Sequence, residues 1–155
     1  MTDATAELVH YDVADAVATI TLDSPANRNA LSRQLVTELF GHLERAGADD
    51  AVRVVLVESS GKVFCSGADL AEASTEGMEV GARRIVDLQR LIATLDKPVV
   101  TKNLGAVRAG GIGIVAAADI AVSAEDATFA LTEVKLGLAA AIISLTVHHR
   151  MSPRA

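Results

Sequence analysis

The sequence predicts an α/β protein in which largely buried strands alternate with helices. Two apolar runs, residues 52–57 and 99–104, have the length and composition of buried strands. Elsewhere apolar residues recur every three to four positions, as on one face of a helix. Half of the 155 residues are hydrophobic but only 3% are aromatic, so the core must consist mainly of Ala, Val, Leu and Ile. This length predicts one domain, residues 1–155.

The predicted elements follow one another in the order ββαβαβαβ. The predicted strands are residues 7–12, 16–22, 52–57, 99–104, 120–123 and 127–131. The predicted helices are residues 32–46, 81–95 and 112–118, with further helical segments over 132–135 and 141–150. Residues 24–29 form a loop by composition. Ser32 is expected to cap the first helix and Gly47 to end it.

Charge and composition exclude several classes of protein. The net charge is −6 and no Lys/Arg cluster is present, so we expect no nucleic-acid partner. A single cysteine rules out an intramolecular disulfide and is compatible with a reducing cytosol. The longest uncharged apolar stretch, residues 136–147, is too short to span a bilayer, and no apolar signal region precedes the first strand. We therefore expect a soluble, cytoplasmic protein with no membrane partner.

Two loops of small residues follow predicted strands and are the best candidates for a binding site. The first contains Gly67 and Ala68, and the second is residues 109–113. Backbone N–H groups in such loops are accessible to a ligand. Two N–H groups that point at one spot can stabilise a developing oxyanion.

Each loop also has a purely structural explanation. Gly67 and Ala68 fit an ordinary turn between a strand and a helix, and the glycines of 110–113 fit close packing of a helix against a sheet. A dinucleotide-binding pattern can be drawn through Gly111, Gly113 and Ala116. It lacks the acidic residue about 20 positions further on, so we do not predict a dinucleotide site.

The first loop resembles a known family signature. Residues 62–70, Lys-Val-Phe-Cys-Ser-Gly-Ala-Asp-Leu, are similar to the K-x-F-C-x-G-A-D-L motif of the enoyl-CoA hydratase/isomerase (crotonase) superfamily. Shorter similarities, in the same order as in the family, are found at residues 29–32, 52–55, 96–99, 118–120 and 129–137. The resemblance runs from about Glu7 to the last residue.

The resemblance implies a spiral of repeated ββα units that binds an acyl-coenzyme A thioester. The thioester oxygen would lie between the backbone N–H groups of Ala68 and Gly110. The positions that match the coenzyme A site of the family are Arg28, Ala30, Ser66, Asp69 and Leu70. Coenzyme A would be part of the substrate, so no separate cofactor and no metal are expected. Asp69 is about equally compatible with a helix cap.

The acid–base groups depart from the family pattern. Hydratases of the family commonly use two glutamates, of which Glu133 matches the second and Gly113 stands at the first. A branch that includes methylglutaconyl-CoA-type hydratases also has glycine there. A single carboxylate can deprotonate water and then protonate the α-carbon. Without the resemblance, Glu133 would be explained as a favourable charge at a helix N-terminus.

Three functions remain open. The first is hydration of a 2-enoyl-CoA, and the second is Δ3,Δ2-enoyl-CoA isomerisation, which needs only the glutamate at position 133. The third is an inactive, truncated paralogue that binds only acyl-CoA or a partner subunit. The first two would place the thioester in the same two loops.

Other reactive side chains have simpler explanations. Cys65 lies between apolar neighbours and is expected to be a buried small side chain. The four histidines, at positions 10, 42, 148 and 149, are expected on solvated helix surface. The basic helix face of Arg83, Arg84 and Arg90 is expected to be solvated, with a phosphate contact as the alternative.

Full-length relatives continue into helices that cover the acyl pocket and assemble trimers. The resemblance therefore implies that this sequence is truncated before that helical part, because residues 152–155 would normally lead into it. It also implies a homo-oligomer, a trimer or hexamer as in relatives. We expect the apolar face around residues 141–147 to be exposed.

Overall fold

The computed structural model of the chain describes residues 6–76, 78–152 and 154; Pro153 and Ala155, in the expected truncation segment, lie outside them. The strands are β1 Val9–Ala14, β2 Val17–Leu22, β3 Val54–Ser59, β4 Val63–Cys65, β5 Val99–Asn103, β6 Ala106–Arg108, β7 Ile120–Ser123 and β8 Thr128–Ala130. The helices are α1 Arg33–Ala48, α2 Leu70–Glu76, α3 Met78–Thr94, α4 Gly110–Ala117 and α5 Ala141–Val147, with 3-10 turns at Pro25–Asn27 and Glu133–Leu136.

The strands form two sheets. The larger sheet has the order β1-β2-β3-β5-β7 and the smaller has the order β4-β6-β8. β1 and β2 are antiparallel, and the other pairs are parallel. From β3 onward, one strand joins the large sheet, the next joins the small sheet, and helical structure follows. This arrangement confirms the α/β class and the repeated ββα units.

The apolar faces of α1 and α3 are buried in one hydrophobic core with the strands of the large sheet, as their periodicity predicts. Leu35, Leu39 and Leu43 of α1 are fully buried, and so is Leu88 of α3. The Ser32 hydroxyl accepts a hydrogen bond from the Leu35 N–H at 3.3 Å, which confirms the predicted cap of α1.

The prediction that Gly47 ends the first helix was wrong. α1 continues to Ala48, and Lys97 donates hydrogen bonds from Nζ to the terminal carbonyls of Ala46 and Asp49. A Cβ on Gly47 would lie 3.0 Å from Cδ1 of Leu95. The glycine therefore permits the close approach of the segment after α3 rather than stopping α1.

Three short elements were not predicted, namely β4, α2 and β6. α2 follows Asp69, whose Oδ1 accepts hydrogen bonds from the N–H groups of Ala71 and Glu72 at 3.0 and 3.2 Å. β6 has only three residues and therefore shows no periodicity of its own. The segment predicted as helical over 132–135 is a 3-10 turn.

The expectation of buried strands fails at the edge of the large sheet. Every residue of β7 is exposed, and Ile120 and Val122 each retain 54% of their accessible surface.

In α5, Leu145 is exposed as expected, whereas Ile143 is buried. Among the described residues, none of the helices is long and apolar enough to cross a membrane.

A polar cluster joins the first three strands at the opposite edge of the large sheet. His10 Nε2 lies 2.9 Å from Oδ2 of Asp23, directly after β2, and Asp23 Oδ1 accepts a hydrogen bond from Ser60, directly after β3. The hydrogen bond to Asp23 raises the pKa of His10, against a smaller opposing effect of burial. Glu7, 3.5 Å from His10 Nδ1, acts in the same direction.

We predict that the pKa of His10 lies above its usual 6.5 and falls when Asp23 is changed to Asn. Because the folded-state pKa is raised, the pair stabilises the protein below pH 6.5 and loses that contribution as the pH rises through the folded-state pKa. NMR titration of the His10 ring would measure the shift. Asp126→Asn, beside the opposite edge strand, is the matched control, and an equal effect of both variants would contradict the prediction.

Candidate active site

The loop after β4 turns sharply before α2. Gly67 has φ +98°, a conformation that side chains rarely adopt, and its carbonyl accepts a hydrogen bond from the Leu31 N–H at 2.8 Å. The Gly67 N–H donates to the sulfur of Cys65 at 3.4 Å. Ala68, the next residue, is exposed and presents the following N–H group.

The loop after β6 lies directly against the first. β4 and β6 are parallel neighbours, so both loops leave the same end of the small sheet. A Cβ on Gly67 would lie 2.7 Å from Cβ of Ala109 and 3.7 Å from the nitrogen of Gly110. Ala109 has φ +47° and ψ −120°, a conformation that costs a non-glycine residue about 1–3 kcal/mol. This strained residue positions Gly110 at the N-terminus of α4.

The third strand of the small sheet contributes a carboxylate. Glu133 begins the 3-10 turn after β8, which pairs with β6. Its Oε2 atom is buried and has no hydrogen-bond partner among the described residues. A buried carboxylate oxygen without a partner is costly, so it marks a candidate for contact with a substrate.

The three strands of the small sheet thus bring Ala68, Gly110 and Glu133 to one cavity. It encloses about 210 Å³ and is otherwise lined mainly by apolar side chains of α5 and of the segment before it. Within the described residues, neither the Ala68 N–H nor the Gly110 N–H donates a hydrogen bond to the protein. Two free N–H groups and a carboxylate can stabilise an oxyanion and move a proton beside it.

The position of Gly113 cannot hold a second carboxylate in this packing. A Cβ on Gly113 would lie 2.7 Å from Cγ2 of Ile143 and 2.8 Å from Oε1 of Gln89. Gln89 is only 3% exposed, and its Oε1 accepts a hydrogen bond from the Thr146 hydroxyl at 2.7 Å. Among the described residues, Glu133 is the one acidic side chain that lines the cavity beside Ala68 and Gly110, which we call the reaction cavity.

The residues predicted to bind coenzyme A do not all lie on this cavity. Ser66 and Leu70 line it, whereas Asp69 lines an adjoining cavity and caps α2. Arg28 is exposed and Ala30 is 7% exposed, and neither lines the two cavities. Binding of coenzyme A by these five residues remains a prediction.

Sequence analysis missed the contacts that fasten the loop of residues 24–31 to the first site loop. Asn29 donates from Nδ2 to the Val63 carbonyl at 2.9 Å and accepts at Oδ1 from the Ser24 N–H at 2.7 Å. The Ser66 hydroxyl donates to the carbonyl of Asn27 at 3.1 Å. The signal in the sequence was a run of Ser and Asn residues, which form such loop contacts often.

Cys65 is fully buried, as expected. Burial raises the pKa of its thiol to about 12, so it does not act as a nucleophile at neutral pH.

The expectation of solvated helix surface was wrong for two histidines. His10 lies on β1. His42 is partly buried and stacks on Tyr11 with a ring-centroid distance of 5.3 Å.

The basic residues of α3 differ in their surroundings. Arg83 and Arg90 are exposed and lie beside Glu79 and Asp87. Arg84 instead lines the adjoining cavity.

Among the described residues, no group of three or more acidic, histidine or cysteine side chains could hold a metal ion.

Comparison with known proteins finds similarity along most of the chain. The sequence profile described as enoyl-CoA hydratase/isomerase matches residues 12–155. A Thermus thermophilus protein, named provisionally as an enoyl-CoA hydratase, is 38% identical over 145 residues, which are 90% of this chain and 57% of the relative.

Solved structures are similar over the same part. An enoyl-CoA hydratase from Mycobacterium avium is 45% identical with a TM-score of 0.87, over 97% of this chain and 60% of that chain. An enoyl-CoA hydratase from Mycobacterium smegmatis is 32% identical with a TM-score of 0.89, over 95% and 59%. The chain thus spans less than two thirds of the length of these relatives.

We predict that Gly67→Ala lowers the free energy of unfolding by about 1–3 kcal/mol, because the new Cβ would meet Cβ of Ala109 at a positive φ. Adding Ala109→Gly removes the opposing atom. The free energy of unfolding of the double variant should therefore be higher than the sum of the two single effects predicts. Urea unfolding measures both. Gly41→Ala is the matched control, since nothing lies within 4 Å of its Cβ; strict additivity at 67 and 109 would contradict the packing described.

We predict that Gly113→Glu destabilises the protein instead of creating a second acid–base group. Its side chain would have to displace Ile143 or Gln89, which overpacks a closed region. On helix propensity alone, Gly113→Ala should stabilise the protein. Here we expect it to lower the free energy of unfolding, because the added Cβ would meet Ile143 and Gln89. Urea unfolding of both variants provides the measurement, and wild-type stability of Gly113→Glu would refute the steric argument.

Proposed function

The chain belongs to the enoyl-CoA hydratase/isomerase family, and from this premise we propose that its site adds water to the double bond of a 2-enoyl-CoA thioester. One observation carries the proposal. Glu133 lines the same cavity as Ala68 and Gly110, and its buried Oε2 has no hydrogen-bond partner in the described part of the chain. A carboxylate and two backbone donors are the groups that conjugate addition to a thioester requires.

In this proposal the thioester oxygen accepts hydrogen bonds from the N–H groups of Ala68 and Gly110. The coenzyme A portion is held along the predicted positions, of which Ser66 and Leu70 already line the cavity. The position of Gly110 at the N-terminus of α4 favours negative charge on the oxygen. Coenzyme A is part of the substrate, so the proposal includes no separate cofactor.

Glu133 would act first as a base and then as an acid. Its carboxylate takes a proton from water as the hydroxide oxygen bonds to the β-carbon, and the double-bond electrons move to the thioester oxygen. The resulting enolate is stabilised by the two N–H groups. Protonated Glu133 then returns the proton to the α-carbon, so all atoms of one water molecule are added. Backbone donors of this kind typically contribute about 10²–10³ each in rate.

Isomerisation of a 3-enoyl-CoA is the second candidate, and the filled space at Gly113 favours it. With one carboxylate on the cavity, Glu133 can remove a proton from the α-carbon and return it to the γ-carbon, which moves the double bond without adding water. Both reactions pass through an enolate held by the same donors.

We predict that Glu133→Gln lowers turnover by about 10²–10⁴, because glutamine cannot accept and return the proton. Loss of crotonyl-CoA absorbance measures hydration, and a 3-enoyl-CoA measures isomerisation. Glu125→Gln is the matched control, because Glu125 is an exposed carboxylate outside the cavity. The measurement should use the native assembly, with its mass determined, because a homo-oligomer remains a prediction.

Each outcome identifies one function. Crotonyl-CoA turnover that depends on Glu133 supports hydration. Turnover of only the 3-enoyl-CoA overturns hydration in favour of isomerisation. Thioester binding without turnover of either substrate would mean the inactive paralogue, and full activity of Glu133→Gln would remove Glu133 from both mechanisms.

A further inference from the structure

The outer strand β7 of the large sheet is an open, apolar edge. Its residues, Ile-Ala-Val-Ser, are all exposed, and no strand among the described residues pairs with its outer side. Ile120 and Val122 point to the same face of the sheet, because side chains alternate along a strand. The amide of Asn103, 3.4 Å from the Val122 carbonyl, comes from the inner neighbour β5. An exposed edge strand of this kind can pair with a strand of another chain.

The other edge strands of the two sheets are protected. β1 carries the polar side chains of His10 and Asp12. The loop before α1 is fastened to β4 through a hydrogen bond from Asn29. At β8, the guanidinium of Arg108 donates a hydrogen bond to the Thr128 carbonyl at 2.6 Å. Charged side chains and covering loops keep edge strands from pairing with other chains, and β7 has no charged residue.

We propose that β7 pairs with β7 of a second copy of this chain, in antiparallel orientation about a two-fold axis. Identical strands related by an axis perpendicular to the sheet run antiparallel and keep the same faces on the same side. An axis at Ala121, in the middle of β7, sets Ile120 of each copy opposite Val122 of the other. Cross-strand pairs of β-branched apolar side chains stabilise a sheet. The large sheet would then continue through both copies.

The charges around β7 complement one another in this arrangement. The segment that follows the strand is acidic and exposed, and it includes Asp126. Arg150 lies beside the start of the strand, where its guanidinium donates hydrogen bonds to carbonyls at the end of α4. Asp119, also at the start, accepts a hydrogen bond from the Val99 N–H of β5 and is held inwards. Because the end of one strand lies beside the start of the other, Asp126 of each copy would approach Arg150 of the other.

We expect the pairing to be reversible. β7 has four residues, whereas stable protein interfaces usually bury at least about 1,200 Å² in total. An apolar groove of about 290 Å³ beside the start of β7, lined in part by Ile112, Val115 and Val147, adds surface next to the strand. A monomer–dimer equilibrium in the micromolar range is therefore expected.

The first test is sedimentation velocity of the unchanged chain over a range of concentrations. We expect a dimer that dissociates on dilution. Val122→Lys should raise the dissociation constant about 100-fold or more, because each dimer loses two apolar contacts and gains two charges at the paired edge. Val13→Lys, the same change at an exposed position of the opposite edge strand β1, is the matched control and should keep the wild-type value.

Three outcomes of this test would overturn the proposal. They are a monomer at every concentration, equal effects of the two lysine variants, and a trimer that Val122→Lys leaves intact. The last would show that another surface carries the assembly, and the first would leave the edge to a different occupant.

The second test examines the register. Opposed residues of antiparallel strands have Cα atoms about 4.5–5.5 Å apart, which a disulfide can span. With oxidised glutathione as the oxidant, Ala121→Cys should form a disulfide-linked dimer, and the fully buried Cys65 should not compete. Ile120→Cys alone should stay unlinked but should link to Val122→Cys when the two are mixed. Linking of Val13→Cys as fast as Ala121→Cys would contradict the pairing.

This proposal does not depend on the proposed function. Turnover of an enoyl-CoA by a protein that shows no dimer would overturn the edge pairing alone. A dimer that is sensitive to Val122→Lys but turns over no substrate would overturn the hydratase and isomerase functions and leave the pairing standing. If Val122→Lys fails to fold, as judged by circular dichroism, the cysteine variants decide.

Discussion

The direct contact between the loop after β4 and the loop after β6 sets the geometry of the whole site. Leu31 joins this contact from the start of α1. Its N–H donates to the carbonyl of Gly67, and its Cδ1 lies 2.8 Å from where a Cβ on Gly110 would stand. Three segments far apart in the sequence therefore pack directly against one another.

The same close packing limits the chemistry. α3 and α5 meet over Gly113 and fill the space above it with an amide and a branched apolar side chain. The polar atoms of Gln89 there have partners, whereas Oε2 of Glu133 has none among the described residues. In the proposed mechanism, this contrast leaves proton transfer to one carboxylate.

Sequence patterns predicted the fold wherever elements are long and amphipathic. α1 and α3 were located by their apolar faces, whereas α2 is a short polar helix that depends on the side chain of Asp69 and shows no apolar face. Gly47 was misinterpreted because its role is a contact with Leu95, 48 positions away. The resemblance to the family predicted Ala68, Gly110 and Glu133 as site residues, and all three line one cavity. The burial of Gln89 could not be predicted, since its hydrogen-bond partner Thr146 lies on another helix 57 positions further along the chain.

The position of Cys65 has a practical consequence. Its sulfur accepts the hydrogen bond of Gly67 from one site loop and lies 3.1 Å from where a Cβ on Gly111 of the other loop would stand. The thiol is completely enclosed and is the single one in the sequence. A thiol reagent can therefore react only while the two loops are apart, and the rate of labelling reports how often they separate. The protein thus contains an intrinsic probe for the separation of these two loops.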